Sequence, residues 1–327
     1  MSRKRMPGSG KSGIARINAR RRPPSSGADA VMRRCCVAPP AGSRALPLAR
    51  RGASIARMLE PTADPFAEIA PFYDLDLEGF DDDLALYLAL AERAAARDGR
   101  EDVLELGCGT GRVATALAGA GFGVAGVDYS AAMLDAARAR TEGLPVRLVE
   151  GDMRSLALGE RFGLVLVPLG GLQHLETTED ITAAFATMAV HLAPDGIAAI
   201  DVEAPHADDW LPGPRPLVEH WTRPLPCEGG EALVTKLVAI EGVPSASLRL
   251  VTWHFDVQPP SGPLRRVTQQ FALRVITAGE IELAARLAGL RVDAWYGDYG
   301  GAPPRDGDER LIAVLSHDAD DEPEDAP

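Results

Sequence analysis

Lysine is scarce in this sequence, and its scarcity excludes one large class of enzymes. The 327 residues include only three lysines, although arginine is abundant; they are Lys4, Lys11 and Lys236. Short-chain dehydrogenases pair a catalytic tyrosine with a lysine four residues later, but the residue four positions before Lys236 is Ala232. The sequence contains no Tyr-x-x-x-Lys, so this subtype of nicotinamide-dependent enzyme is excluded.

Cysteines at metal-ligand spacing and long apolar runs are also missing. The four cysteines do not form the C-x-x-C spacing of a zinc site; they are Cys35, Cys36, Cys108 and Cys227. We therefore predict no bound metal, and reduced thiols in a cytoplasmic protein, because disulfides belong to oxidising compartments. No apolar run approaches the roughly 20 residues of a membrane span, so we expect no membrane partner.

Charge is distributed unevenly along the chain. The first 57 residues contain 14 lysines and arginines and one acidic residue, Asp29, whereas the remainder contains 20 basic and 46 acidic residues. Residues 1–57 lack sustained apolar periodicity and predict a disordered basic extension, and residues 317–327 predict a disordered acidic tail. The acidic remainder is a poor binder of a phosphate backbone, which favours a small-molecule partner over a nucleic acid.

From Val103 onward, short apolar runs alternate with amphipathic segments. The runs predict five strands, and they are VLEL, FGVAGVD, VRLVE, FGLVLVPL and GIAAIDVE. Helices are predicted between them, with Ser130 and Thr178 as N-caps. Strands that alternate with helices at this spacing predict an α/β fold with a Rossmann-like, doubly wound parallel sheet.

The pattern changes after residue 204. Residues 205–275 contain proline-marked turns and runs of alternating apolar and polar residues, which are typical of antiparallel strands. Helical spacing resumes at TAGEIELAARLAGL, with Thr277 as its N-cap, and two more strands follow. We therefore predict a core of residues 58–204, an antiparallel β insertion at 205–275 between strand 5 and the last helix, and a return to the core at 276–316.

The stretch LELGCGTGR predicts a ligand-binding turn between the first strand and the helix that follows it. Its three glycines, Gly107, Gly109 and Gly111, permit a tight turn and the close approach of a ligand. The third glycine of the dinucleotide fingerprint G-x-G-x-x-G would stand where this sequence has Arg112, which counts against NAD. Glu105 precedes the glycines, where it would repel a pyrophosphate and suit a cationic ligand.

Acidic residues also follow the next two strands. Asp128 ends the second strand, where it can accept hydrogen bonds from both hydroxyls of a ribose or serve as a helix N-cap. Asp152 follows the third strand in EGDM, where it could accept from an adenine amino group, with Met153 against the ring, or cap a short turn. A nucleoside without phosphate needs only such groups.

The segments LELGCGTGR, VDYS and EGDM, in this order, resemble class I S-adenosylmethionine-dependent methyltransferases. The resemblance implies S-adenosyl-L-methionine as cofactor and S-adenosyl-L-homocysteine as its product. It places the methionine end near the glycines, the ribose at Asp128, and the adenine beside Asp152 and Met153. On the same resemblance, Tyr129 of VDYS and Leu169 after the fourth strand are assigned to the cofactor site.

Two further side chains are candidates for roles near the transferred methyl group. His174, just past the fourth strand, could accept a proton from the methyl acceptor, and packing is its alternative role. Tyr73 in PFYD could close over the methionine end of the cofactor, and packing is again the alternative.

The tryptophans could line a substrate pocket or pack a sheet; they are Trp210, Trp221, Trp253 and Trp295.

The insertion resembles the antiparallel layer over the active site of sugar-amine and glycine N-methyltransferases. This resemblance implies a soluble enzyme that transfers a methyl group in line to nitrogen or oxygen of a small molecule, with the insertion as substrate cover. Methylation of RNA or protein, another nicotinamide-dependent oxidoreductase, and a binding protein without catalysis remain alternatives. The acceptor and the oligomeric state stay open.

Overall fold

The computed structural model describes residues 64–318 of the chain. The predicted extension at 1–57 lies outside the described residues, as do all but the first two positions of the predicted tail at 317–327. The described helices are α1 (Ala70–Asp76), α2 (Leu84–Asp98), α3 (Arg112–Gly119), α4 (Ala131–Arg140), α5 (Thr178–His191) and α6 (Ala278–Leu287). The described strands are β1 (Asp102–Leu106), β2 (Gly123–Asp128), β3 (Val146–Glu150), β4 (Phe162–Val167), β5 (Leu192–Glu203), β6 (Gly213–Pro214), β7 (Val218–Cys227), β8 (Gly230–Val243), β9 (Leu248–Gln258), β10 (Arg265–Arg274), β11 (Leu290–Tyr296) and β12 (Arg310–His317). No helix between residues 64 and 318 is both long and apolar enough to cross a bilayer.

Seven strands form the central sheet in the order β3-β2-β1-β4-β5-β12-β11. The first five strands of the chain pair in parallel, so the predicted α/β fold class is confirmed. β12 runs antiparallel to both β5 and β11, which the sequence pattern did not predict. The connection at 297–309, all of it described, contains no helix that could return the chain for a parallel crossover, so β11 and β12 pair as a hairpin.

The order of the strands reverses at β1, which lies between β2 and β4. Alternate residues of β1 face opposite sides of the sheet: Leu104 and Leu106 pack with α5 and α6, whereas Val103 packs with α2 and α3. Both faces are thus covered, as a parallel sheet requires. Ligands of such sheets bind beyond the carboxyl ends of the strands at the point of reversal, here after Leu106 and Asp128.

The predicted helix N-caps have different outcomes. Ser130 and Thr277 are confirmed, since each hydroxyl group accepts a hydrogen bond from the backbone three residues further on. The prediction for Thr178 is wrong, because α5 begins at Thr178 and its cap is Thr177, whose hydroxyl accepts from the backbone of Asp180 at 3.1 Å. Thr177 has the extended backbone that an N-cap needs, whereas Thr178 is already helical.

The second sheet, which we call the cover sheet, consists of β6 to β10. Its strands are antiparallel in the order β10-β9-β8-β6, and β7 also pairs with β8. They lie within the predicted insertion at 205–275, although the division of the chain into domains stays a prediction. One apolar cluster joins the cover sheet to α1 and the core, and it includes Phe66, Phe72, Met133, Val234, Phe255 and Phe271.

Candidate functional site

A cavity of about 430 Å³ lies beyond the carboxyl ends of β1, β2 and β4. The core and α1 form one side of it, and β10 of the cover sheet forms the other. The cavity brings together every residue predicted for the cofactor or for methyl transfer except Gly111, namely Tyr73, Glu105, Gly107, Gly109, Asp128, Tyr129, Asp152, Met153, Leu169 and His174. Its volume falls within the range of small-molecule sites in proteins.

Residues 107–111, the glycine turn, form the floor between β1 and α3. Gly107, Gly109 and Gly111 have φ angles of +75°, +53° and +77°, which side chains rarely adopt. A Cβ on Gly107 would stand 3.3 Å from the methyl carbon of Met153, inside the cavity wall. A Cβ on Gly111 would instead stand 3.1 Å from the Cβ of Ala137 on α4. Gly111 therefore lets α3 and α4 pack closely, it does not line the cavity, and the ligand contact predicted for it stays a prediction.

Glu105 is a buried acid in the wall of the cavity. Its side chain projects from β1 and is 1% exposed, and its Oε2 has no hydrogen-bond partner within the described part of the chain. Burial raises the pKa of Glu105 to about 8, although the nearby Arg112 guanidinium lowers it. An unpartnered buried oxygen is costly, so this position calls for a donor that residues 64–318 do not supply.

Asp128 joins the end of β2 to the glycine turn. Its Oδ2 accepts from the backbone N–H of Gly109 at 2.8 Å, and its Oδ1 accepts from that of Ser130 at 2.9 Å. Burial raises the pKa of Asp128, while these hydrogen bonds oppose the rise. The alternative role as N-cap is wrong, because Ser130 caps α4. Tyr129, 45% exposed, stands beside Asp128 at the rim.

Asp152 lines the cavity, but its carboxylate already has a cationic partner. Arg154 Nε lies 3.0 and 2.9 Å from the two oxygens, and the backbone N–H of Arg154 donates to Oδ1 at 2.8 Å. These bonds with Arg154 lower the pKa of Asp152. The alternative role as the cap of a short turn is therefore confirmed, and the contact with adenine stays a prediction.

Leu169 enters the cavity wall on a strained turn after β4. Its φ of +49° is unusual for a side-chain-bearing residue and costs about 1–3 kcal/mol. Asp201 of β5 holds the turn, since its Oδ2 accepts from the Leu169 N–H at 3.3 Å and its backbone carbonyl accepts from the Gly170 N–H at 2.8 Å. The Asp201 carboxylate also accepts from the side chains of Tyr87, Tyr299 and Arg310.

His174 ends a short 3-10 helix, Gly171–His174, that follows the Leu169 turn. The rings of Phe66 and Phe271 meet its imidazole at steep angles, each with centroids 5.4 Å apart. Burial lowers the pKa of His174 to about 4, so the imidazole is neutral at neutral pH. His174 thus both packs and lines the cavity, and the two roles predicted for it do not exclude each other.

Tyr73 on α1 reaches the glycine turn. Its Cε1 lies 3.9 Å from the position that a Cβ on Gly109 would take. Burial raises the pKa of Tyr73 to about 12, and the negative charge of Asp128 adds to this rise, so the phenol keeps its proton. The segment PFYD is part of α1 and brings Tyr73 into the cavity wall.

Sequence reasoning missed the contribution of β10 and of the chain before α1. The wall residues missed in these two segments include Phe66, Gln269, Gln270, Phe271 and Ala272, and Arg154 and Glu176 elsewhere in the wall were not predicted either. Alternating residues signalled a strand there, but not the surface that it faces. Of the two roles left open for the tryptophans, pocket lining does not occur: all four are described, none lines the cavity, and Trp221 and Trp253 pack beside α1. Residues 64–318 contain no cluster of His, Cys, Asp or Glu suited to a metal ion.

Several known methyltransferases are similar to this chain. A family model described as a methyltransferase domain matches residues 103–196. The cypemycin N-terminal methyltransferase of a Streptomyces species is 32% identical over 218 residues, which cover 67% of this chain and 83% of that protein. The dTDP-3-amino-3,6-dideoxy-alpha-D-glucopyranose N,N-dimethyltransferase of Streptomyces fradiae is 28% identical over 245 residues, 74% of this chain and 91% of that protein. The solved CcbJ methyltransferase of Streptomyces caelestis has a TM-score of 0.59 at 26% identity and covers 73% of this chain and 90% of its own.

Proposed function

We propose, from the premise that this chain belongs to the class I S-adenosylmethionine-dependent methyltransferases, that it methylates an amine nitrogen of a small molecule held under the cover sheet. Its cofactor, when bound, supplies an activated methyl group on a positively charged sulfur. The observation that carries the proposed site is the buried, unpartnered Oε2 of Glu105 in the cavity wall. A cationic group of the cofactor would satisfy this oxygen.

The residues of the wall fit the cofactor in charge and in space. Glu105 would hold the amino group of the methionine end, and Gly107 and Gly109 let that end approach the backbone. Each oxygen of Asp128 accepts one backbone N–H, so lone pairs remain for the ribose hydroxyls. The adenine would lie near Asp152, among the apolar parts of Tyr129, Met153 and Leu169.

His174 and Tyr73 would align the two reacting molecules. The neutral imidazole of His174 can accept a hydrogen bond from an amine N–H, but with a pKa near 4 it is too weak a base to hold the proton. An amine that arrives uncharged needs only the alignment of its lone pair, and alignment alone can contribute several kcal/mol. Tyr73, pressed against the glycine turn, would cover the methionine end and exclude water.

Nitrogen is the favoured acceptor atom because both relatives act on nitrogen, by their names: one on an aminosugar, the other on a peptide N-terminus. Glu176, whose pKa is raised by burial, adds a carboxyl group to the cavity wall that can receive an amine. A peptide N-terminus is a second candidate acceptor, favoured by the 32% identity to the cypemycin enzyme. We place the reaction in the cytoplasm, with no nucleic-acid partner.

Two measurements on the full-length chain test this function. Isothermal titration should detect binding of S-adenosylhomocysteine. Mass spectrometry should then detect methyl transfer from S-adenosylmethionine to a dTDP-linked aminosugar or to a short peptide with a free N-terminus. Failure of the wild-type chain to bind S-adenosylhomocysteine would refute the cofactor site, and methylation confined to hydroxyl analogues would refute the choice of nitrogen.

His174→Ala should lower kcat by about 100-fold, because a misplaced acceptor loses most of the benefit of alignment. The affinity for S-adenosylhomocysteine should stay at the wild-type value. His254→Ala is the matched control, since His254 lies on the cover sheet and pairs with the Thr268 hydroxyl rather than facing the cavity. Equal kcat values for the two variants would show that His174 only packs.

A further inference from the structure

The short helix α1 carries two aspartates that bind different parts of the molecule. Asp74 is bound to the core, since its carboxylate accepts hydrogen bonds of 2.6 Å from the Thr110 hydroxyl and from Arg140 Nη2. Thr110 belongs to the glycine turn, and Arg140 is the last residue of α4. Asp74 therefore fastens α1 to the cofactor end of the cavity.

Asp76, two residues later, is bound to the cover sheet. Its carboxylate accepts a hydrogen bond of 2.6 Å from Trp221 Nε1 on β7 and forms an ion pair with Lys236 Nζ on β8. Lys236 is 4% exposed, and its ammonium group lies 3.7 Å from the centre of the Trp253 ring. It is the only lysine among the described residues. Lys236 is the buried partner of this pair and Asp76 the partly exposed one, so removing Asp76 would leave a buried charge without its partner.

Tyr73 lies next to Asp74 on the same helix and forms part of the cavity wall. The neighbouring Phe72 stacks on Phe255 of β9, with ring centroids 5.1 Å apart. A movement of the cover sheet relative to α1 must therefore disturb the Asp76–Lys236 pair, the Phe72 stack or the position of Tyr73. Helix α1 connects the part of the cavity that fits the cofactor with the sheet that supplies the opposite wall.

We propose that Asp76 and Lys236 are positioning residues that couple binding of the cofactor to the order of the cover sheet, and thereby to the acceptor half of the cavity. The proposal rests on the proposed function. A ligand in contact with Tyr73 reduces the mobility of α1, and the ion pair extends this reduction to β7 and β8. β9 lies between β8 and β10, so the order extends to the acceptor wall. The structure describes every residue of β7 and β8, and none of them lines the cavity. A change in their hydrogen exchange on ligand binding is therefore indirect.

Hydrogen exchange of the full-length protein, with and without S-adenosylhomocysteine, measures this coupling. In the wild type, the ligand should slow exchange in the glycine turn and also in β7 and β8. In Lys236→Met, the turn should still be protected and the Kd should change less than about threefold, while the protection of β7 and β8 disappears. The KM for the amine acceptor should rise about tenfold with little change in kcat.

A variant that keeps the charge of Lys236, and a variant of another ion pair in the cover sheet, distinguish loss of coupling from general destabilisation of the sheet. Lys236→Arg should restore the protection of β7 and β8. Asp256→Asn, which breaks the Asp256–Arg266 pair of the same sheet, is the matched control and should leave it intact. If Lys236→Met does not fold, Asp76→Asn, which keeps an acceptor for Trp221, gives the same comparison. Two results would overturn the coupling. One is a wild type that binds the ligand without slower exchange in β7 and β8. The other is slower exchange in β7 and β8 that persists in both Lys236→Met and Asp76→Asn. A wild type that binds no S-adenosylhomocysteine would instead refute the proposed function.

Discussion

Asp128→Ala should weaken the binding of S-adenosylhomocysteine by about 100-fold or more, because one carboxylate holds the glycine turn and also faces the position proposed for the ribose. The carboxylate accepts from the Gly109 N–H at 2.8 Å and from the Ser130 N–H at 2.9 Å. Each hydrogen bond to a charged group contributes about 1.5–3 kcal/mol. The variant loses the contact with the ligand and also loosens the turn that the ligand approaches, so both losses lower the affinity. Isothermal titration measures the change.

Two other variants show whether the effect belongs to the ligand site. Asp135→Ala is the matched control, because Asp135 lies on α4 with an exposed carboxylate that pairs with Arg138, and this variant should bind like the wild type. Asp128→Asn keeps one acceptor oxygen without the charge and should have intermediate affinity. Thermal unfolding shows whether Asp128→Ala is folded. If it is folded and binds S-adenosylhomocysteine as tightly as Asp135→Ala does, the ribose assignment is wrong.

The parallel part of the sheet is predictable from sequence because its signals are local. Each strand from β1 to β4 is a short apolar run, and a cap such as Ser130 marks the start of the next helix. The direction of β12 has no such signal, because it depends on the absence of a helix between two strands. The cap at Thr177 rather than Thr178 shows the same limit, since either threonine could fill that role until the backbone angles are known.

The predictable part of the site comes from strand ends. Glu105 and Asp128 could be placed together because the carboxyl ends of parallel strands meet at one edge of the sheet. Asp152 lines the same cavity, but its ion pair with Arg154, only two residues away, does not follow from the sequence pattern. The wall formed by β10 could not be predicted, because the contact between Phe271 and His174 joins residues far apart in the chain and depends on how the cover sheet folds over the core.

Glu105→Gln should stabilise the free protein at alkaline pH, although it removes a proposed ligand contact. Burial raises the pKa of Glu105 from 4.5 to about 8. An unfolded chain therefore loses this proton near pH 4.5, whereas the folded chain keeps it until about pH 8. Between these values the folded state binds more protons, so the free energy of unfolding falls as pH rises. The variant should be more stable than the wild type by about 4 kcal/mol near pH 8, and similar below pH 4.5, in urea unfolding.

The same carboxyl group should make ligand binding depend on pH. A cationic amino group needs the ionised carboxylate, so binding below about pH 8 must release the proton from Glu105. While the amino group stays charged, affinity for S-adenosylhomocysteine should rise by up to about tenfold per pH unit towards that pKa and then level off. In Glu105→Gln this slope should vanish, and affinity should fall by about 100-fold at the plateau. Glu101→Gln, which alters an exposed glutamate just before β1, should keep the wild-type slope in isothermal titrations. If Glu105→Gln also keeps the wild-type dependence of affinity on pH, another group titrates and Glu105 does not hold the amino group.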